Sequence, residues 1–483
     1  MISKKIKTNK EQLIKLFNNS TDFVTYEFES IFNIKLMISY LEGLVDRDIL
    51  DRDVLKSLIF NLRDKNPKDV RRYIMTSKIR EIDDILDTVN EIVYGKVILF
   101  IEGSRVAYSI ELSKWDKRTV EEPQSESVIR GPKEGFIEDI AVNKVLLRRK
   151  IRNNNLVFED LRLGEQTQTM ISIAYIKGIV NEDILEELKN RLNKINIDSI
   201  LESGYIEELI EDTPRTLFST ITVTEKPDIT AAKLLEGRIA ILTDGTPHVL
   251  IVPKLFVEGL MSNEDYYIRP FYSSFLRVLR AVSFIITIYL PGAFVALQLY
   301  HQEMIPTVLL ISAASAREGV PLPVMIETTA MILALELTKE SSLRLPKNIG
   351  STVTIFGALV LGQAAVQASL VSAPTVILVS ITALSEFIIP QLSQGIVLYR
   401  LLITILGGFF GIYGVVCGFL MITMQIISIE SFGIPYTWTL APINKTALKD
   451  GTIRVFLNKF IYRPTTIARR NVKRQVPPKG DRL

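Results

Sequence analysis

The chain has 483 residues, a net charge of +3, 47% hydrophobic side chains and 23% charged side chains, so it is long enough for two or three domains. The charged side chains are unevenly distributed along the chain, because residues 281–429 hold only eleven of the 111 acidic and basic side chains. The single cysteine, Cys417, excludes a disulfide framework, and two distant histidines give no reason to expect a metal site. Since the sequence also lacks a Walker loop and a nucleophile elbow, we predict no enzymatic activity and no cofactor.

Residues 1–120 have the pattern of a small αβ subdomain. No apolar leader follows the polar start of the chain, so we expect this region to lie in the cytoplasm. The predicted elements are helices at Lys10–Asn18 and Asp48–Leu62, a strand at Ile34–Ile38, and a β-hairpin of Val97–Phe100 and Val106–Leu112 around Glu102-Gly103-Ser104-Arg105.

A polar linker, Ser113–Ser127, leads to a second αβ subdomain that we place at residues 121–275. The loop Arg130–Gly135 is basic and glycine-containing, but an ordered loop between subdomains is favoured over a phosphate-binding loop. The predicted elements are helices at Glu138–Ile151 and Asn181–Leu192 (capped by Asn181), a strand pair at Leu156–Leu161 and Gln168–Ala174, and a hairpin of Arg238–Leu242 and His248–Val252. The N-terminal half is therefore expected to be α+β.

Three uncharged runs predict that residues 276–435 form an all-α, polytopic membrane domain. The runs cover residues 281–300, 348–385 and 401–429. About 20 apolar residues cross the hydrocarbon core, and a charge at its centre costs at least ~2.5 kcal/mol. The arginines just before the first run and the net charge of +9 in Asn444–Leu483 predict that both flanks are cytoplasmic. The number of spans is then even, and we expect four to six.

The spans within this domain are predicted as follows. Ala281–Tyr300 is the first and is expected to kink at Pro291-Gly292. Residues 307–337, interrupted at Arg317–Pro323, form either one broken span or a pair of re-entrant segments. Ser351–Leu370 and Thr375–Ile389 are further spans, and Leu401–Ile429 is either one long tilted helix or two short ones. Residues 436–483 form a basic cytoplasmic tail, interpreted as a topology determinant or a contact for anionic lipid rather than for nucleic acid.

One polar helix face and three acidic residues are the candidate functional groups. Val360, Gln363 and Gln367 share one face of the helix Ser351–Leu370. This face either lines a pore, with Val360 as an apolar constriction, or its glutamines hydrogen-bond to a neighbouring helix. The acids Glu327, Glu336 and Glu386 are candidates for an ion path or for gating, and we expect none of them to have a cationic partner one turn away. Glu327 and Glu336 could instead face the interface, and Glu386 could reach water from the end of its span.

Several short motifs follow one another along the chain. The segment Glu126–Glu138 has the sequence ESVIRGPKEGFIE. The other strings are RPFY from Arg269, HQEMIP from His301, REGVPLP from Arg317, RLP from Arg344, GQAAVQ from Gly362, SFGIPY from Ser431 and LAP from Leu440. In this order they resemble the GerA family of spore germination proteins, the A subunits of nutrient germinant receptors, whose SVIRGPxEGF pattern the first segment matches. The resemblance extends from about residue 20 to residue 465.

This resemblance implies a receptor subunit in the inner membrane of dormant spores. It implies partners, namely a transporter-like B subunit that recognises the nutrient and a C-subunit lipoprotein, and a homo-oligomeric ring, expected to be a pentamer, that forms a nutrient-gated ion channel. The alternatives are a solute or ion transporter subunit, a membrane-anchored scaffold, and, within the family, a SpoVAF-like germination amplifier.

Overall fold

In the computed structural model, two five-stranded antiparallel sheets precede a group of long apolar helices. The structure describes residues 1–63, 67–74, 76, 78–113, 123, 126, 130–344, 362–438, 440–441, 450–451 and 453–475, and every statement below concerns these residues. The first sheet has the strand order β1-β2-β4-β5-β3. Its unit comprises α1 (Ile6–Leu16), β1 (Phe23–Glu29), β2 (Lys35–Leu41), α2 (Arg47–Ile49), a π-helical turn (Leu50–Leu55), α3 (Lys56–Asn61), α4 (Pro67–Tyr73), β3 (Ile79–Ile82), α5 (Ile85–Val93), β4 (Val97–Ile101) and β5 (Ala107–Ile110).

Helices cover both faces of this sheet, which explains why β2 is apolar on both sides. Met37 and Leu41 face a cluster with Leu13 of α1 and Ile92 of α5. Leu36 and Ile38 face the opposite cluster, which contains residues of the π-helical turn, α3 and α4. The predicted hairpin of β4 and β5 is confirmed by their antiparallel pairing.

The second sheet has the order β6-β7-β9-β10-β8. Its unit comprises α6 (Ile140–Lys150), β6 (Leu156–Leu163), β7 (Thr169–Ile176), α7 (Glu182–Asn193), α8 (Ser203–Ile210), β8 (Thr222–Thr224), α9 (Pro227–Leu235), β9 (Ile239–Thr243) and β10 (Val249–Val252). The predicted β6–β7 pair and β9–β10 hairpin are both confirmed. The predicted cap is confirmed as well, since Asn181 Oδ1 accepts a 3.1 Å hydrogen bond from the backbone N–H of Asp183.

The two units repeat one topology, which the sequence analysis did not identify. Within each unit the first, second, fourth, fifth and third strands are neighbours in that order. The segment from Tyr40 to Leu50 matches Tyr175 to Leu185, with Tyr, Gly, Val, Asp, Ile and Leu recurring at residue numbers that differ by 135. Asp46 and Asn181 are equivalent in this alignment, and each caps the helix that follows.

A buried ion pair joins the two units. Arg148 of α6 donates from Nε and Nη2 to the two carboxylate oxygens of Asp22, at 2.7 and 2.8 Å. Arg148 is 1% exposed and Asp22 is 4% exposed. Two parallel charge-assisted hydrogen bonds fix both distance and orientation, so they hold one unit against the other.

The second half of the chain is helical. It contains α10 (Pro270–Tyr300), α11 (Thr307–Ser315), α12 (Val324–Leu343), a helical stretch at 362–367, α13 (Ala373–Phe387) and α14 (Ser393–Ser428). Two helical segments, α10 and residues Gly395–Ser428 of α14, are long and apolar enough to cross a membrane, and α13 is a shorter apolar helix. Pro291 lies inside α10, as predicted.

The helix α14 reverses direction at Gly411. Gly411 has φ 62° and ψ −146°, a conformation that essentially only glycine adopts. Tyr399 Oη donates a 2.8 Å hydrogen bond to Gln425 Oε1, although 26 residues of continuous helix would separate the two by about 39 Å. Of the two alternatives for Leu401–Ile429, the structure therefore has two short helices, with both ends on the side of the second sheet.

Candidate functional site

The predicted pore face is described only in part. Val360 lies outside the described residues, whereas Gln363 and Gln367 lie at the helical stretch 362–367 and are both exposed. Ala365, between them, is 9% exposed. Among the residues that the structure describes, neither glutamine amide has a hydrogen-bond partner. The assignment of this face to a pore stays a prediction.

Glu336 and Glu386 belong to a group of four charges, of which Arg400 and Glu386 are buried and Glu336 and Lys339 are partly exposed. Arg400 of α14, which is fully buried, donates from Nη1 to Glu386 Oε2 at 2.8 Å and from Nη2 to Glu336 Oε1. Lys339 Nζ lies 2.7 Å from Glu386 Oε2 and 3.1 Å from Glu336 Oε1. We call these residues the charge quartet. It joins α12, α13 and α14 and has no net charge.

Two expectations about these acids are wrong. Glu336 does have a cationic partner one turn away, Lys339, because residues three apart meet on a helix surface. Glu386 does not reach water from the end of its span, because its side chain is only 6% exposed and bonds to Arg400. The signal available in the sequence was Arg400 itself, the one charge between Glu386 and Glu430, since a buried cation in an apolar helix requires an anion.

Glu327 lies in the first turn of α12, next to the start of α13. Its Oε1 accepts 2.6 Å hydrogen bonds from the backbone N–H and from the hydroxyl of Ser372, which precedes α13. Its Oε2 lies 3.6 Å from Arg317 Nε and accepts no hydrogen bond from a described residue. Glu327 is fully buried, so it does not face the interface. A carboxylate in this first turn is favoured by the helix dipole.

The start of α10 is anchored by charge to the turn that precedes it and to the tail. Arg277 Nε lies 3.0 Å from Asp265 Oδ2, and Arg277 Nη1 lies 3.1 Å from Asp450 Oδ1. Arg280 also pairs with Asp265, at 2.8 Å. Burial raises the pKa of Asp450, against the opposing effect of Arg277. Two of the three arginines that predict the orientation of the first span, Arg277 and Arg280, are thus paired with acids.

The described part of the basic tail packs on the second αβ unit. Ile467 and Ala468 are fully buried in its two cores. Arg463 Nε donates a 2.7 Å hydrogen bond to the carbonyl of Leu235, and Arg470 pairs with Glu182 at 2.5 Å. These contacts place residues 463–470 of the tail against the second αβ unit. Among the described residues, no group of three or more His, Cys, Asp or Glu is placed to hold a metal ion.

Comparison with known proteins identifies the family. Residues 11–466 match the family model of the Bacillus/Clostridium GerA spore germination protein. Spore germination protein KA of Bacillus subtilis (strain 168) is 38% identical over 485 residues, covering 98% of this chain and 89% of the relative. The uncharacterized membrane protein YfkQ of the same organism is 37% identical, covering 97% of this chain and 93% of the relative.

A solved structure is similar to the N-terminal half. The N-terminal domain of the A subunit of the Bacillus megaterium spore germinant receptor GerK3 is 33% identical, with a TM-score of 0.43, covering 53% of this chain and 97% of the solved chain. The family model and the relatives together span nearly the whole sequence. The chain belongs to the GerA family of spore germination proteins.

Proposed function

We propose that this chain is the A subunit of a spore germinant receptor and forms an oligomeric, nutrient-gated ion channel in the spore inner membrane. Membership in the family supports the receptor role, together with B-subunit and lipoprotein partners. The observation that carries the channel role is the exposed pair Gln363 and Gln367 on an apolar helical stretch. Amide groups at this position need a polar surface, and a lumen shared by several protomers supplies one.

The proposed architecture keeps the four regions predicted from the sequence: residues 1–120, 121–275, 276–435 and 436–483. The apolar helices α10, α13 and α14 would cross the membrane, and both αβ units and the tail would lie in the cytoplasm. The reversal at Gly411 lets α14 contribute two spans, which with α10 and α13 gives an even total of four. The packing of Ile467 on the second αβ unit supports a tail on the side of that unit.

The test is ion flux through purified protein in vesicles, with protein abundance measured for the same variants. Val360→Ala should widen the constriction and increase the leak without nutrient, and Gln363→Ala should change the flux at normal abundance. Val416→Ala is a matched control, because it makes the same truncation on the exposed side of α14. Unchanged flux at normal abundance for both pore variants would remove this helix from the ion path.

The oligomeric state separates the proposal from its alternatives. A channel of this kind needs a ring of subunits, so mass measurement in several detergents should give an oligomer. Monomers throughout would favour a solute transporter subunit or a membrane-anchored scaffold. If this chain is present at normal abundance but does not copurify with a B subunit, the result would favour a SpoVAF-like amplifier of the same family.

A further inference from the structure

The helix α10 is longer than a membrane crossing requires. Its 31 residues make a helix about 46 Å long, whereas the hydrocarbon core of a bilayer is about 30 Å thick. The charges of Arg277 and Arg280 predict that the span begins at Ala281. About 16 Å of helix, Pro270–Arg280, is then left over at the start of α10.

The two sides of this leftover segment differ in chemistry. On one side Arg277 and Arg280 face protein, where each pairs with Asp265, at 3.0 and 2.8 Å, and Arg277 also pairs with Asp450, at 3.1 Å. The other side carries large apolar side chains that are 38–79% exposed, namely Phe271, Tyr272, Phe275, Val278 and Leu279. Because both arginines are neutralised and turned toward protein, their charge does not keep the apolar side away from lipid.

A segment of the tail widens this apolar side. The ring of Phe456 meets the ring of Phe271 edge to face, with centroids 5.6 Å apart. Ser274 Oγ accepts a 3.1 Å hydrogen bond from the backbone N–H of Arg454, which fixes the segment beside α10. Phe456 and Leu457 are 45% and 58% exposed. A contiguous apolar surface of this size indicates a contact site. We call it the α10 patch, and it comprises Phe271, Tyr272, Phe275, Val278, Leu279, Ile453, Phe456 and Leu457.

The charges at the edge of the α10 patch are positive. Arg269 directly precedes α10 and Lys459 follows Leu457 in the tail, and both are exposed. No acidic residue occurs in the sequence of residues 270–300 or 453–475. The acids that contact the start of α10, Asp265 and Asp450, are bound by its arginines. An apolar surface with cations and no acid at its edge is typical of protein surfaces that bind anionic membranes.

We propose that the α10 patch lies in the bilayer interface, with its apolar side chains among the upper acyl chains and with Arg269 and Lys459 at anionic lipid headgroups. The inference rests on the proposed membrane position of α10. Lipid is favoured over a second protein because the apolar row continues into the span through Val282 and Ile285, which are 44% and 55% exposed. A bilayer that meets those residues reaches the patch without a gap, and its anionic lipids supply the negative charge that the two cations need.

The experiment measures quenching of a fluorophore by lipid in vesicles that contain the full chain. Cys417→Ser removes the single cysteine, and one cysteine is then introduced and labelled with an environment-sensitive dye. The test variants are Phe275→Cys and Phe456→Cys. Val416→Cys, at an exposed position in α14, reports membrane position, and Lys7→Cys, at an exposed position in the first αβ unit, is the control outside the membrane. The quencher is a phospholipid with a nitroxide near the start of its acyl chain.

The dyes at Phe275 and Phe456 should be quenched as the dye at Val416 is, and the dye at Lys7 should not. Quenching at Val416 alone would overturn the patch and leave the membrane position of the helices intact. Loss of quenching at Val416 as well would remove both the patch and the proposed channel. Disulfide-linked dimers of unlabelled Phe456→Cys, without quenching of the labelled form, would assign the patch to a second copy of this chain and overturn the lipid assignment.

A second arm tests the two cations. Nitroxide-labelled phosphatidylglycerol is compared with nitroxide-labelled phosphatidylcholine at Phe456→Cys, and the anionic lipid should quench more. Arg269→Gln and Lys459→Gln should each lower this preference, by up to about fivefold in relative association. Arg469→Gln is the matched control, because Arg469 is exposed but pairs with Asp183 on the second αβ unit. Equal quenching by the two lipids with both cations present would overturn the assignment to anionic headgroups.

Discussion

Removing Arg400 should destabilise the helical domain strongly. Arg400 is fully buried and contacts carboxylates on two other helices, Glu336 and Glu386. In Arg400→Met those two carboxylates share the single ammonium of Lys339, so the charge quartet acquires a net charge of −1 in an apolar surrounding. Removal of one partner from a buried ion pair costs about 3–5 kcal/mol. We therefore expect Arg400→Met to lose about that much free energy of unfolding.

The assay is denaturant or thermal unfolding of purified protein, and a double-mutant cycle supplies the decisive comparison. Arg344→Met is the matched control, because Arg344 pairs with Glu340 on an exposed surface and its loss should leave stability near the wild type. The double variant Arg400→Met/Glu386→Gln restores neutrality, so it should recover a large part of the lost stability. If Arg400→Met is as mild as Arg344→Met, or if the double variant is simply additive, the quartet does not stabilise the helices as argued.

Two further predictions concern a glycine and a buried acid. Gly411→Ala should lower the free energy of unfolding by about 1–3 kcal/mol, because its φ of 62° disfavours any side chain and an added Cβ would lie 3.0 Å from His301 Cε1. The control is Gly433→Ala, at φ 71° in open space, which should lose less stability in the same thermal melt. Equal losses for the two variants would contradict the argument. Burial opposes ionisation of Glu258, but Arg238 and Lys233 outweigh burial and lower its pKa from 4.5. Its stabilising effect is thus complete above that value and is lost as the pH falls through the lowered pKa. The wild type should lose melting temperature more steeply than Glu258→Gln in an acid titration, and parallel curves would refute this.

The αβ half was predictable where short-range chemistry determines the structure. Both hairpins carry short apolar runs around glycine-containing turns, and Asn181 precedes a helix with acids in its first turn. The repeat of the two units was equally accessible, because the match of Tyr40–Leu50 to Tyr175–Leu185 is visible in the sequence. The match appears only when the two segments are aligned with each other, because neither segment contains a repeat within itself. The pairing of Arg148 with Asp22, by contrast, depends on how the two units pack, which no local pattern specifies.

The helical half was predictable in composition but not in its contacts. An uncharged run of 29 residues after Arg400 fits one long helix or two short ones equally well, and only the conformation of Gly411 separates the two. The partners of Glu336 and Glu386 were also hidden, because Arg400 lies 64 and 14 residues away from them along the chain. Such distances in sequence carry no periodic signal, so pairing of buried charges has to be inferred from the requirement of neutrality.

The requirement that buried charges be neutralised changes which groups can contact an ion in the proposed path. The quartet neutralises Glu336 and Glu386, and Glu327 bonds to Ser372 and faces Arg317. None of these acids then offers an uncompensated negative charge to a passing cation. If the path follows the face of Gln363 and Gln367, its polar groups are amide dipoles, which replace hydration water without binding an ion tightly. Rapid passage with weak discrimination among monovalent cations would follow from such a lining, and the acids would act by holding α12, α13 and α14 in one arrangement rather than by contacting the ion.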